Sequence, residues 1–168
     1  MLKILLIFCA TMLIGQEDLS PLFSSFKQYQ KAKLQTSFNV EWISAGPVLN
    51  SARVEAVQGD PRNPGTMYIA FGSGNLWKTI DNGLTWKPIF ENQPALGIGD
   101  IALAPSDSKI IYVGTGESLR KNRNFTMPGT GIYRSDDSGN SWRHLGLENT
   151  WHISEIAVHP TNPDIVLV

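Results

Sequence analysis

The stretch from Thr115 to Thr130 gathers the groups best suited to chemistry or recognition: Glu117, Arg120, Lys121, Asn122, Arg123 and Asn124. Glu117 is the carboxylate among them and the one catalytic candidate, as a local acid. The cations and amides suit the binding of a polar ligand, and a long polar connection with clustered charge reads as a binding loop. Asn124-Phe125-Thr126 is also a glycosylation sequon, meaningful in a source that glycosylates exported proteins. A little further on stand Trp151 and His152. They are counted as binding candidates, although a lone His beside a Trp is commonly a packed residue.

A second constellation occurs twice. Thr79-Ile80-Asp81-Asn82-Gly83-Leu84-Thr85-Trp86 is matched by Ser135-Asp136-Asp137-Ser138-Gly139-Asn140-Ser141-Trp142. The shared template is hydroxyl, any, Asp, any, Gly, any, hydroxyl, Trp, which a random position meets roughly once in a million. Oxygen side chains alternating around a Gly suggest a calcium loop. That pattern also wants a bidentate Glu further on, which is missing. The other reading is structural. Asp81 and Asp137 accept hydrogen bonds from turn amides and from the Thr85 and Ser141 hydroxyls. Gly83 and Gly139 take a positive φ, and Trp86 and Trp142 are buried between neighbouring units. The structural reading is preferred, so no metal and no other cofactor is expected.

The elements that carry these groups repeat as well. Asp60-Pro61-Arg62-Asn63-Pro64, Ala104-Pro105-Ser106-Asp107 and His159-Pro160-Thr161-Asn162-Pro163-Asp164 each follow an apolar run, Val54–Val57, Ile98–Leu103 and Ile153–Val158. Each turn precedes a second apolar run, and in the first two units a third segment leads into the Asp motif and a fourth segment. Four short strands punctuated by Pro, Gly, Asn and Asp describe one β-propeller blade, an antiparallel meander. The expected fold is therefore all-β, a propeller of four-stranded blades at about 54–90, 98–145 and 153–168. The third is cut short, leaving about two and a half blades. Propellers close with more blades than this, so the chain is expected to be the N-terminal part of a longer protein.

Strand order assigns the loops to rims. Loops joining strands one to two and three to four share one rim, which holds the Asp motifs. The loop from Thr115 to Thr130 joins strands two and three, so it lies on the opposite, open rim. Trp151, His152, Asn50, Ser51 and Arg53 lie there too. Asp100 and Glu155 begin innermost strands, where they line a central channel or satisfy neighbouring amides.

The N-terminus differs from the rest. Lys3 precedes an apolar run from Ile4 to Ile14, followed by Gly15 and a polar stretch. This is the form of a secretory signal peptide, residues 1–15, too short to span a bilayer. The sole cysteine, Cys9, falls inside it, so the mature chain has no disulfide or thiolate chemistry. Residues 16–40 form a lead-in in which Ser20-Pro21 caps a short helix to about Lys33. With a net charge of −1 across 168 residues, nucleic acid and anionic membrane are not expected partners.

These features resemble the Asp-box β-propellers, built on the bacterial neuraminidase repeat. That repeat occurs in sialidases, xyloglucanase-type glycoside hydrolases and the N-terminal propeller of sortilin-like receptors. The longer pattern, with Trp42-Ile43-Ser44-Ala45-Gly46-Pro47 and Gly114-Thr115-Gly116-Glu117, is similar to exported bacterial sortilin-N-terminal-like or glycosyl-hydrolase-like proteins. The resemblance implies the propeller fold over residues 41–168. It implies a xyloglucanase-type catalytic Asp after the second strand of the first blade, where this chain has Gly72 in Phe71-Gly72-Ser73-Gly74-Asn75. Sialidases of this kind place an Arg in a Phe-Arg-Ile-Pro setting. Arg53 lies in Ala52-Arg53-Val54 and does not inherit that role. The expected function is recognition of a protein, peptide or glycan through the open rim. The alternative is a glycoside hydrolase whose other catalytic groups lie beyond Val168.

Overall fold

A computed structural model describes residues 3–5, 20–35, 52–117 and 126–168. The elements are β1 (Lys3–Leu5), α1 (Ser20–Gln35), β2 (Val54–Gly59), β3 (Met67–Phe71), β4 (Asn75–Thr79), β5 (Lys87–Pro88), β6 (Ile98–Ala104), β7 (Asp107–Thr115), β8 (Ile132–Ser135), β9 (Arg143–Gly146), β10 (Ala157–Val158) and β11 (Ile165–Leu167). Two sheets are four-stranded antiparallel meanders, β2-β3-β4-β5 and β6-β7-β8-β9. A third pairs β10 with β11 and carries β1, parallel, on the outer side of β11. The rest of the expected signal peptide, Cys9 included, and Trp42 to Ser51 lie outside the described residues.

Residue periodicity explains how the sheets stack. Along β3, Tyr68 and Ala70 are buried, and the residues between them are half-buried. That alternation marks one principal core face. In the second sheet both faces are covered, and Ile98 to Ala104 and Ile110 to Thr115 are buried or half-buried throughout. Ile111, Val113 and Tyr133 pack with Tyr68, Leu76, Phe90 and Ile98 at the first boundary. Tyr112 and Ile132, one residue out of phase, pack with Ile153, Ile156 and Val166 at the second. Each such side chain contributes about 1.5–3 kcal/mol, against about 1 kcal/mol net for a hydrogen bond. Face-to-face packing therefore dominates, and polar contacts at the rims set its register. This is the arrangement of neighbouring β-propeller blades, two of them four-stranded and a third contributing β10 and β11.

The repeated motif closes the turn between the third and fourth strands. The Thr85 amide and hydroxyl donate to the two carboxylate oxygens of Asp81 at 2.9 and 2.6 Å, and the Thr79 hydroxyl donates at 2.7 Å. Asp137 repeats the set with Ser141 at 2.8 and 2.5 Å and Ser135 at 2.8 Å. These bonds, the Thr85 hydroxyl first, hold the Asp81 carboxyl down at about 2, and the Ser141 hydroxyl is the main cause of the lowered Asp137. Gly83 and Gly139 have φ of 87° and 90°. Asn82 and Ser138 before them are also left-handed, so the turn demands two unusual residues rather than one.

The two tryptophans differ. The Trp142 indole donates to the Ile89 carbonyl of the preceding blade at 2.8 Å and meets Phe90 edge-on at 5.1 Å. The Trp86 indole donates to Gly83 within its own turn at 3.1 Å and stays half-buried. Among the described residues Trp86 makes no such bond to another sheet. Helix α1 has no buried residue and touches the blades through Phe23, 5.3 Å from the His144 ring, and through Gln30, which donates to the Asn92 carbonyl. Among the described residues no helix is long and apolar enough to cross a membrane.

Candidate functional site

The rim with the Asp motifs is closed on itself. The Asn82 amide donates to the Gly65 carbonyl and the Ser138 amide to that of Lys109, which ties each motif to the strand-one-to-two side of its blade. Lys78 donates to the Ser138 carbonyl of the next blade at 2.9 Å. Arg134 holds both Asp136, at 2.7 Å, and Asp164 in the next blade, at 2.5 Å. Asp136 and Asp137 are thus occupied by protein donors.

The opposite rim gathers a different set. The register of β2 on β3 skips between Val54 and Ala56, leaving Glu55 at a β-bulge, and bulges re-aim side chains. The Glu55 side chain is 2% exposed, and one of its oxygens accepts from Arg53 Nε at 2.5 Å. Arg53 Nη2 also engages Glu117 at the end of the second strand of the next blade. The hydrogen bond it donates to Glu55 is the first cause that raises the Arg53 guanidinium above its already high value. Glu117 spends its other oxygen on the Met127 amide at 3.2 Å, while its own amide donates to the Met127 carbonyl at 2.9 Å. Both ends of the loop are therefore pinned at its neck.

Gly72 lies beneath this cluster. A Cβ there would stand 2.9 Å from Glu117 Cγ and 3.1 Å from a Glu55 oxygen. The volume a side chain at 72 would take is filled by two glutamates from neighbouring blades. Backbone contacts fix the same region: the Gly116 amide donates to the Gly97 carbonyl at 2.8 Å, Gly129 to Trp151 at 2.8 Å and Ile153 to Thr115 at 3.1 Å.

Trp151, 44% exposed, and His152 complete the rim. Their rings meet edge-on, with centroids 6.4 Å apart. Burial draws the His152 imidazole below its ordinary value, opposed by the carbonyl and charge of Glu117, and its Nδ1 has no hydrogen-bond partner among the described residues. The arrangement sets an open indole face beside a buried carboxylate, already bonded to Arg53 and Met127, and a buried imidazole nitrogen.

Of the sequence-derived candidates, the structure brings together Glu117, Trp151, His152 and Arg53. Arg120, Lys121, Asn122, Arg123 and Asn124 lie outside the described residues, as do Asn50 and Ser51. Asp100 accepts the Ile156 amide at 2.7 Å across the blade boundary, the amide-satisfying option. Glu55 was not a candidate. It sits in Val54-Glu55-Ala56-Val57, which reads as an ordinary strand, and no residue type there announces the bulge. The nearest signal was the alternation of Arg53 with Glu55 at the start of an innermost strand.

Comparison with known proteins matches the fold. No family model matches the chain. The xyloglucanase Xgh74A of Acetivibrio thermocellus is 30% identical over 105 residues, which are 53% of this chain and 11% of that protein. A xyloglucanase of a Paenibacillus species is 27% identical over 109 residues, 55% of this chain and 10% of that one. The crystal structure of an ancestral GH74 enzyme aligns with a TM-score of 0.53 at 25% identity, covering 67% of this chain and 13% of that chain. The chain spans 10–11% of the length of these curated relatives.

Proposed function

We propose that this chain forms blades of an exported Asp-box β-propeller that acts on glycans, as a glycoside hydrolase of the xyloglucanase kind. The observation that carries the proposal is the convergence of Glu117, Trp151 and His152 on the open rim of a fold similar to xyloglucanases. An exposed indole stacks on the apolar face of a pyranose. Polar groups suited to sugar hydroxyls, the Glu117 carboxylate and the His152 Nδ1, lie buried just beneath that indole. The apolar run after Lys3 has the composition of an export signal, which fits a polysaccharide met outside the cell, while in the uncleaved chain Lys3–Leu5 pair with β11.

The geometry limits the chemistry these blades supply. Glycoside hydrolysis uses two carboxyl groups, one of them a proton donor to the leaving oxygen. Glu55 and Glu117 share one guanidinium, an arrangement that suits Glu117 to accepting hydrogen bonds. Neither glutamate is therefore assigned as the proton donor. A second reading, glycan binding without turnover, is favoured by Gly72 standing where the xyloglucanase-type pattern has its Asp.

The test is titration of the full-length protein with a xyloglucan oligosaccharide, with reducing-end release followed in parallel. A charge-assisted hydrogen bond is worth about 1.5–3 kcal/mol, so Glu117→Gln is expected to weaken binding about tenfold or more at an unchanged melting temperature. Release by the wild type supports the hydrolase, and binding without release supports the second reading. No binding by the wild type overturns both, and equal affinity and turnover of the variant removes Glu117 from the site.

A further inference from the structure

We infer that Glu55 is a positioning residue of the open-rim site, acting through Arg53 to hold Glu117 in place. The inference rests on the rim being the ligand site. Glu55 occupies a bulge that recurs in the next blade, where the register of β6 on β7 skips between Ile98 and Asp100. The residue there is Gly99. A Cβ on it would come within 3.0 Å of the Ile153 and Gly116 carbonyl oxygens, so the second blade's bulge has no room for any side chain. The first blade's bulge carries a glutamate instead, so the repeat itself does not demand the carboxylate.

A carboxylate 2% exposed is costly to bury without a partner. Among the described residues Glu55 is paired with Arg53 Nε, and Arg53 Nη2 with Glu117. Guanidinium planarity links the two contacts. With Nε fixed by Glu55, the fork is held in the plane that presents Nη2 to Glu117. Arg53 is 35% exposed at its side chain. Freed from Glu55, it has solvent to rotate into, and Glu117 loses the cation that orients it. The Glu117 carboxylate also accepts the Met127 amide, so its placement can be read at that amide with no ligand present.

The experiment compares Glu55→Ala with Glu55→Gln in the full-length protein. Gln keeps an oxygen for Arg53 Nε at nearly the same volume, whereas Ala removes the acceptor. Hydrogen exchange at the Met127 amide is expected to rise about tenfold in Glu55→Ala and to stay within about twofold of wild type in Glu55→Gln. Oligosaccharide affinity is expected to follow the same order. Equal exchange in all three proteins overturns the inference, as does equal acceleration in both variants, which would mark a general loss of packing. If wild type binds no glycan but the exchange pattern holds, the functional proposal fails and the positioning role stands.

Discussion

Replacing Gly99 by Ala tests how closely the second and third blades approach. Gly99 sits at the β6 bulge with a φ outside the left-handed region, so backbone conformation does not penalise Ala there. Space does. The added Cβ would come within 3.0 Å of two carbonyl oxygens, those of Ile153 in the next blade and Gly116 in its own. Neither is the flexible end of a side chain. Relief requires Ile153 to move, and its amide is bonded to Thr115 at 3.1 Å while the residue is 4% exposed. One residue away, Asp100 accepts the Ile156 amide. Overpacking against rigid neighbours costs about 1–3 kcal/mol, and a weakened hydrogen bond adds about 1 kcal/mol. The expected loss is about 2–4 kcal/mol, a large share of the 5–15 kcal/mol typical of a domain. Gly59→Ala is the control, because nothing lies within 4 Å of its added Cβ. It should be neutral or stabilise by up to about 1 kcal/mol. Paired urea titrations give the answer through midpoints at constant slope. If the two variants unfold within about 0.5 kcal/mol of each other, the blades do not meet backbone to backbone in solution.

Two other predictions concern the Asp motifs. Asp81 is held at about 2 and Asp137 is also lowered, against an ordinary 3.8, so their contribution is fully present above about pH 4 and disappears as pH falls through their folded values. Stability measured from pH 5 to 2 should therefore fall less steeply for the Asp81→Asn, Asp137→Asn double variant than for wild type, and parallel curves would contradict the assignment. Trp142→Phe should cost about 1–2 kcal/mol by orphaning the Ile89 carbonyl and Trp86→Phe about half as much or less, since its bond stays within an exposed turn; equal losses by thermal unfolding would show that Trp142 does not bridge the blades.

Much of the architecture is written in the residues. Pro-containing turns and the Asp motifs recur at fixed places, and strand order alone sends Glu117, Trp151 and His152 to one rim and the motifs to the other. What could not be read is set by contacts between blades. The bulge at Glu55 depends on a one-residue register skip that no local propensity encodes. Gly72 reads as a lost carboxylate, yet its meaning lies in two glutamates that fill the space from either side. Trp86 and Trp142 look equivalent because each motif is local, and they differ because among the described residues only Trp142 bonds a carbonyl of another blade. The left-handed Asn82 and Ser138 were also hidden, since Ser in particular gives no signal for that conformation.

The central claim is that the rim around Arg53, Glu55 and Glu117 receives a glycan while the Asp-motif rim only holds the blades together. The oligosaccharide titration already described tests it most directly when amide and indole resonances are followed residue by residue. The account predicts saturable shifts at Met127, Gly129 and the Trp151 indole, diminished in Glu117→Gln, with Gly83 and Gly139 unmoved. Saturable shifts centred on Gly83 and Gly139, with the Trp151 indole silent, would contradict it.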